Sequence, residues 1–235
     1  MKVLVTAGGT EEPVDGVRRL TNTSTGATGG VLARRFSELG AHVLLLHAER
    51  APLDGIDVER ETFTTYADLE GSLRRHLEHR WWDAVVHLAA VSDYSVASVE
   101  VDGLPVPHGD RGKIGSGAEV VIRLEPNPKL IDELKRWSRN PAIRVVGFKL
   151  TNHPDPEVRK AKVDELLARG VADLVVHNDL AEIDGESHPA VIWTHREPIA
   201  RTSTKIELAE ALFALLVRPS APAVGTRTDE GADRS

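Results

Sequence analysis

The chain has 235 residues, 41% hydrophobic and 28% charged, with a formal net charge of −7, enough to bury a substantial core but no strongly basic surface for nucleic acid. Its longest uninterrupted apolar run, residues 211–217, falls far short of the roughly 20 residues of a membrane helix, and a strand-like run follows Lys2 in place of a signal-peptide core, so a cytoplasmic protein with no membrane partner is expected. Zero cysteines exclude disulfides, thiolate catalysis and Cys-ligated zinc.

Residues 2–6 form a β-branched run ending in Ala7, Gly8, Gly9 and Thr10, the pattern of a buried strand opening into a glycine-rich loop. A polar stretch leads to Thr25. Residues 26–39 read as a helix, with Val31, Leu32, Phe36 and Leu39 at helical spacing and Gly40 as its stop. Residues 41–46 are a second buried-type strand, 66–79 a helix, and 83–88 a strand running into Ala89, Ala90, Val91, Ser92 and Asp93. From 95 to 117 the periodicity stops and glycine and proline gather, the mark of a functional or disordered segment. Strands at 120–124, 143–148 and 172–177 then alternate with helices at 129–137 and 156–169. A hairpin is expected over 190–202, and Thr204 caps a last helix running to about 217. Residues 218–235 hold one lone valine among prolines and charges, so a disordered tail is expected.

Strands alternating with helices predict an α/β, Rossmann-like domain over 1–217, a mainly parallel sheet covered on both faces, with a mid-chain flap at 95–117. Ligands in such folds collect at the carboxyl ends of the strands. Small residues from Asn22 to Gly30 suit either the approach of a phosphate to a helix N-terminus or a Ser/Thr cap with close helix packing. A nicotinamide reductase fits poorly: the dinucleotide fingerprint needs its glycines directly after the first strand, and Gly26 comes twenty positions after Thr6. No P-loop motif and no histidine pair at zinc spacing occur, so no resident metal site is expected. Lys113, alone between Lys2 and Lys129, is either a solubilising charge or a stabiliser of a phosphoryl group.

The run Thr6-Ala-Gly-Gly-Thr10 with Glu12, Pro13, Asp15 and Arg18, and the run from Asn22 to Gly29, resemble the N-terminal signature of phosphopantothenate–cysteine ligases. The resemblance continues, in family order, through 89–94, 112–114, 127–130, 147–150 and 178–179. It implies a ligase of coenzyme A biosynthesis that activates 4′-phosphopantothenate with CTP or ATP, aided by Mg²⁺, and passes the acyl group to cysteine. The chain starts at the ligase's first strand, so the resemblance implies the stand-alone type, without flavin. It assigns catalytic roles to Asn22, which orients the acyl-nucleotide, and to Lys113 of the flap. It assigns nucleotide or pocket roles to Gly9, Thr10, Ser24, Gly26, Ala89, Ala90, Asp93, Asn127, Pro128, Lys129, Leu130, Phe148 and Lys149, and contact with the triphosphate to Lys162 and Arg169. It also implies a homodimer. Other expectations compatible with the residues are a related acid–amine ligase and a nucleotide-binding regulator without turnover.

Overall fold

The β-branched run at the N-terminus forms β1 (Lys2–Ala7), whose alternation sends Val3 and Val5 to one face of a sheet and Leu4 to the other. The computed structural model describes residues 1–53, 55–109, 112–184, 187–195 and 197–218. The tail expected from sequence lies, from residue 219, outside the described residues. After β1 come a short antiparallel pair, β2 (Glu11–Pro13) and β3 (Arg19–Thr21), then α1 (Ala27–Glu38), β4 (His42–Ala48), β5 (Glu59–Phe63), α2 (Tyr66–His79) and β6 (Ala84–His87). β7 (Tyr94–Val101), β8 (Leu104–Val106) and β9 (Val120–Pro126) follow, then α3 (Leu130–Trp137), β10 (Arg144–Thr151), α4 (Pro156–Ala168), β11 (Leu174–Asp179), β12 (Ala190–Trp193), β13 (Pro198–Thr202) and α5 (Lys205–Val217).

The main sheet has the order β13-β12-β11-β10-β6-β1-β4-β5. Strands from β11 to β5 run parallel, and β12 and β13 are added antiparallel, as the expected late hairpin. One apolar layer packs α1 and α5 on Val5, Val86, Val146 and Val176; the other packs α2, α3 and α4 on Leu4, Val85, Val145 and Val175. The contact of α1 with β1 is close: a Cβ on Gly29 would lie 2.5 Å from the Ala7 Cβ. The chain builds outward from β1 through β4 to β5, then returns to the other side of β1 and builds through β6 and β10 to β11. The strand order therefore reverses between β1 and β6, and the space outside the carboxyl ends of the strands at that reversal is where such a sheet takes its ligands.

The segment read as lacking periodicity begins instead with β7 and β8, which join β9 in a separate three-stranded antiparallel sheet. A register shift between Val96 and Ser98 breaks the two-residue alternation. Val99 is buried with Val14 and Ile114, and Val96, Val101 and Val106 pack around them, so a small satellite core holds this sheet to the turn after β2.

Candidate functional site

β1 ends where Gly8 takes a left-handed conformation, φ 86°, in a space so tight that a Cβ would lie 2.6 Å from the Ala48 Cβ. From there three loops are tied together by hydrogen bonds. Ala90 N–H donates to the Gly8 carbonyl at 2.8 Å, and Thr10 N–H to the Ala90 carbonyl at 3.2 Å. The fully buried Thr10 accepts from Ser92 N–H through its hydroxyl at 2.8 Å. Asn22 Nδ2 donates to the Val91 carbonyl at 3.1 Å, which brings the loop before α1 against the loop after β6.

Above these loops lies a cavity of about 730 Å³. Its walls come from the loop 23–29, the end of β6 with residues 88–93, residues 128–131, the end of β10, one side of α4, and His188 with Lys205. α1 enters this cavity with Gly26 as its N-cap and, among the described residues, no side-chain cap; Ala27 N–H alone finds a hydroxyl there, that of Thr25, at 3.3 Å. Amides at such a helix start attract an anion.

Positive charge outweighs negative along the walls. Lys129, Lys149, Lys162, Arg169 and Lys205 face two carboxylates, Asp93 and Glu165. Lys129 pairs with Asp93, Lys162 with Glu165 at 3.2 Å, and Arg169 reaches outside to Asp132. Lys149 and Lys205 form no direct ion pair among the described residues, although Lys149 lies near enough to Glu165 to reinforce the effect of Lys162 in lowering that carboxyl. A concave wall with unpaired cations concentrates polyanions, while Leu88, Leu130, Ile131 and Phe148 supply apolar surface for an organic body.

Of the residues singled out in the sequence, Ser24, Gly26, Ala89, Ala90, Asp93, Pro128, Lys129, Leu130, Phe148, Lys149, Lys162 and Arg169 all line this one cavity. Gly9, Thr10 and Asn127 stand behind it. A Cβ on Gly9 would lie 2.5 Å from the Asn22 carbonyl oxygen. Asn127 donates to the Ser92 carbonyl at 3.1 Å and accepts from the Ser95 hydroxyl at 2.8 Å, so it shapes the 92–95 loop. Asn22 is exposed beside the mouth and does not line the cavity.

Lys113 also lies outside the lining. Its neighbours are clamped to the turn after β2: Gly16 N–H donates to the Gly112 carbonyl at 2.8 Å, and Ile114 N–H to Asp15 Oδ2 at 3.0 Å. Asp15 is buried, also accepts from the Val17 and Arg18 amides, and pairs with the Arg18 guanidinium. These donors, the Ile114 amide above all, hold its carboxyl well below the usual carboxylate range. Lysine 113 is therefore presented on a pinned loop, not a loose one. Sequence reasoning missed His87, His188 and Lys205; the signal available was position alone, a strand end and a helix start on the ligand side of the sheet.

The model of the DNA/pantothenate metabolism flavoprotein C-terminal domain family matches residues 1–218. The coenzyme A biosynthesis bifunctional protein CoaBC of Thermococcus kodakarensis is 33% identical over 216 residues, 90% of this chain and 50% of that protein. The chain thus spans about half the length of the curated relatives it matches. The crystal structure of the DNA/pantothenate metabolism flavoprotein from Streptococcus pneumoniae superposes with a TM-score of 0.79 at 29% identity, covering 92% of this chain and 98% of that one. A Cab2 variant in complex with phosphopantothenate-cysteine shares the fold, with a TM-score of 0.71 at 20% identity over 92% of this chain and 87% of its own.

Proposed function

The chain belongs to the DNA/pantothenate metabolism flavoprotein C-terminal domain family, and from that premise we propose that it joins 4′-phosphopantothenate to cysteine in coenzyme A biosynthesis, consuming CTP or ATP. The observation that carries this reading is the cavity at the strand-order reversal, where a helix N-terminus and unpaired lysines face an apolar wall. Its volume suits a nucleoside triphosphate with an extended acid beside it. The Thermococcus relative is a protein of coenzyme A biosynthesis, and the Cab2 variant of the same fold is bound to phosphopantothenate-cysteine, both in line with this reading.

The chemistry has two halves. A carboxylate oxygen of the acid attacks the α-phosphorus of the nucleotide and pyrophosphate leaves, giving an acyl-nucleotide. The amine nitrogen of cysteine then attacks the acyl carbon, loses a proton, and displaces the nucleoside monophosphate. Both steps need mainly positioning and stabilisation of charge on phosphate oxygens. Lys149, Lys162, Lys205 and the start of α1 serve that end, and Asn22 at the mouth orients the acyl group. Asp93 and Glu165, the cavity's carboxylates, each answer a lysine, and no group of three metal-binding side chains occurs among the described residues. Mg²⁺ would therefore arrive on the triphosphate oxygens and its own waters. Neither half-reaction is a redox step, so flavin has no part in it.

The direct test is to incubate the purified protein with each nucleotide, 4′-phosphopantothenate and cysteine, and follow pyrophosphate and the amide product. Pyrophosphate release that requires the acid, and amide that requires cysteine, supports the reading; release with neither dependence overturns it.

Asn22→Asp is expected to keep the fold, because Asn22 is exposed, yet to slow amide formation by about 10-fold or more. A carboxylate there loses the donor to the Val91 carbonyl and repels the acyl-phosphate. Wild-type turnover in a folded Asn22→Asp protein would remove Asn22 from the mechanism.

The homodimer belongs to the same proposal. β9 is the edge of its sheet and exposed along its whole length, with Val120, Val121, Ile122 and Leu124 open to solvent. A long apolar edge is a hazard unless something covers it, and the same strand of a second copy meets that need. Sedimentation is expected to give a dimer and Ile122→Lys a monomer. A monomeric wild-type protein at working concentration would rule the pairing out.

A further inference from the structure

His87 ends β6 in register with Thr6 of β1 and Gly147 of β10, 8% exposed, on the floor of the cavity. Its protons can be assigned from its neighbours. The Thr6 hydroxyl oxygen accepts two backbone donors, Leu88 N–H at 3.2 Å and Ala89 N–H at 3.0 Å. Both lone pairs of that oxygen are then used, so its single hydrogen must go to His87 Nδ1, 3.1 Å away. Nδ1 is an acceptor, and the ring proton sits on Nε2. Nε2 has no protein partner among the described residues and is not among the buried polar atoms sealed without one. It therefore opens on the cavity that His87 lines.

A second proton on Nδ1 would oblige the Thr6 hydroxyl to turn its hydrogen away and give up a backbone donor. Burial acts in the same direction, pushing the His87 imidazolium down to about 4, so the ring is neutral at physiological pH. A neutral donor adds little for a phosphate that has lysines and a helix N-terminus at hand. Around His87 the cavity wall is apolar, with Leu88, Ile131 and Phe148, which suits a flat unsaturated ring.

We propose that His87 reads the nucleobase, its Nε2–H donating to a ring nitrogen or carbonyl oxygen of the base, and so helps determine which nucleotide is used. The proposal rests on the nucleotide-dependent reading above. A site built around a fixed donor discriminates by leaving that donor unpaired when the acceptor is missing.

The test compares wild type, His87→Leu and His87→Gln by calorimetry against CTP, ATP and ribose 5-triphosphate, which has no base, and follows the Nε2–H resonance of ¹⁵N-labelled wild type. In wild type the resonance is expected to report the Nε2–H tautomer and to shift with the preferred nucleotide but not with the base-free triphosphate. His87→Leu is expected to weaken the preferred nucleotide about 10-fold and leave the base-free ligand unchanged, and His87→Gln to restore most of the loss. Equal weakening of both ligands, or an Nε2–H resonance indifferent to the base, overturns the assignment while nucleotide use stands. Failure of the wild type to bind either nucleotide overturns both.

Discussion

Replacing Lys113 by alanine is expected to slow formation of the acyl-nucleotide and pyrophosphate by about 10²-fold or more, as for loss of one preorganised electrostatic stabiliser. Lys113 is exposed and has no carboxylate partner among the described residues, so its charge is not spent on the fold. Its removal should leave the melting temperature close to that of wild type. Yet Lys113 lies outside the cavity lining, on a loop pinned through Asp15. Either that loop swings when anionic ligands offset the cost of moving it, or Lys113 serves the cavity of the neighbouring protomer. Mixing Lys113→Ala with Asn22→Asp separates the two: restored turnover in mixed dimers requires service across the interface, whereas none is expected if each protomer uses its own lysine. Single-turnover pyrophosphate release decides the primary claim, and an unchanged burst in Lys113→Ala ends it.

The second large effect is on stability. Gly29→Val should cost about 3 kcal/mol or more, because a branched side chain must enter a contact with no room for it. The new Cβ would meet the Ala7 Cβ at 2.5 Å and the Thr6 carbonyl oxygen at 3.4 Å, both on the central strand. Helix α1 must then lift off β1, which also moves the uncapped helix start in the cavity. A fall in melting temperature of roughly 6–12 °C is expected for a domain of this size. Gly71, in the middle of α2, is the control: nothing lies within 4 Å of its would-be Cβ, so Gly71→Ala should stabilise by about 1 kcal/mol. A Gly29→Val protein that melts with the wild type would mean that the helix and strand are not in contact.

The sheet was legible where apolar pattern and punctuation agreed. Helix α2 spans 66–79 as expected, with Thr65 and Asp68 forming a capping box, and Thr204 caps α5 by accepting from Glu207 N–H. What escaped had its signal displaced. β5, Glu59–Phe63, has no counterpart among the expected elements: it is an edge strand whose charges guard against pairing and leave no apolar run to read. β2 carries Glu12, buried and accepting from Tyr66 N–H and the Ser95 hydroxyl, a core position without an apolar residue. β7 was hidden by its bulge, which places Val96, Val99 and Val101 at uneven spacing toward one small core. In the site, the glycine-rich loops at the strand ends were readable from the residues, whereas the lysines of the cavity wall entered only through the family resemblance. His87 was not readable, because its significance lies in the Thr6 hydroxyl, which is 81 positions away in sequence and adjacent only once β1 and β6 have paired.

That separation has a consequence for synthesis. At about 5–20 residues per second, roughly 4–16 s pass on the ribosome between the emergence of Thr6 and that of His87. β1 can pair with β4 in the meantime, but its other edge belongs to β6. For those seconds the nascent chain carries an open inner strand whose Val3, Leu4 and Val5 are completely buried in the finished protein. Such an edge is a template for the wrong partner. Holding factors should engage the nascent chain over this interval and release it when residues 84–87 emerge, and ribosome-bound chains arrested before and after that point would differ in protease resistance at β1.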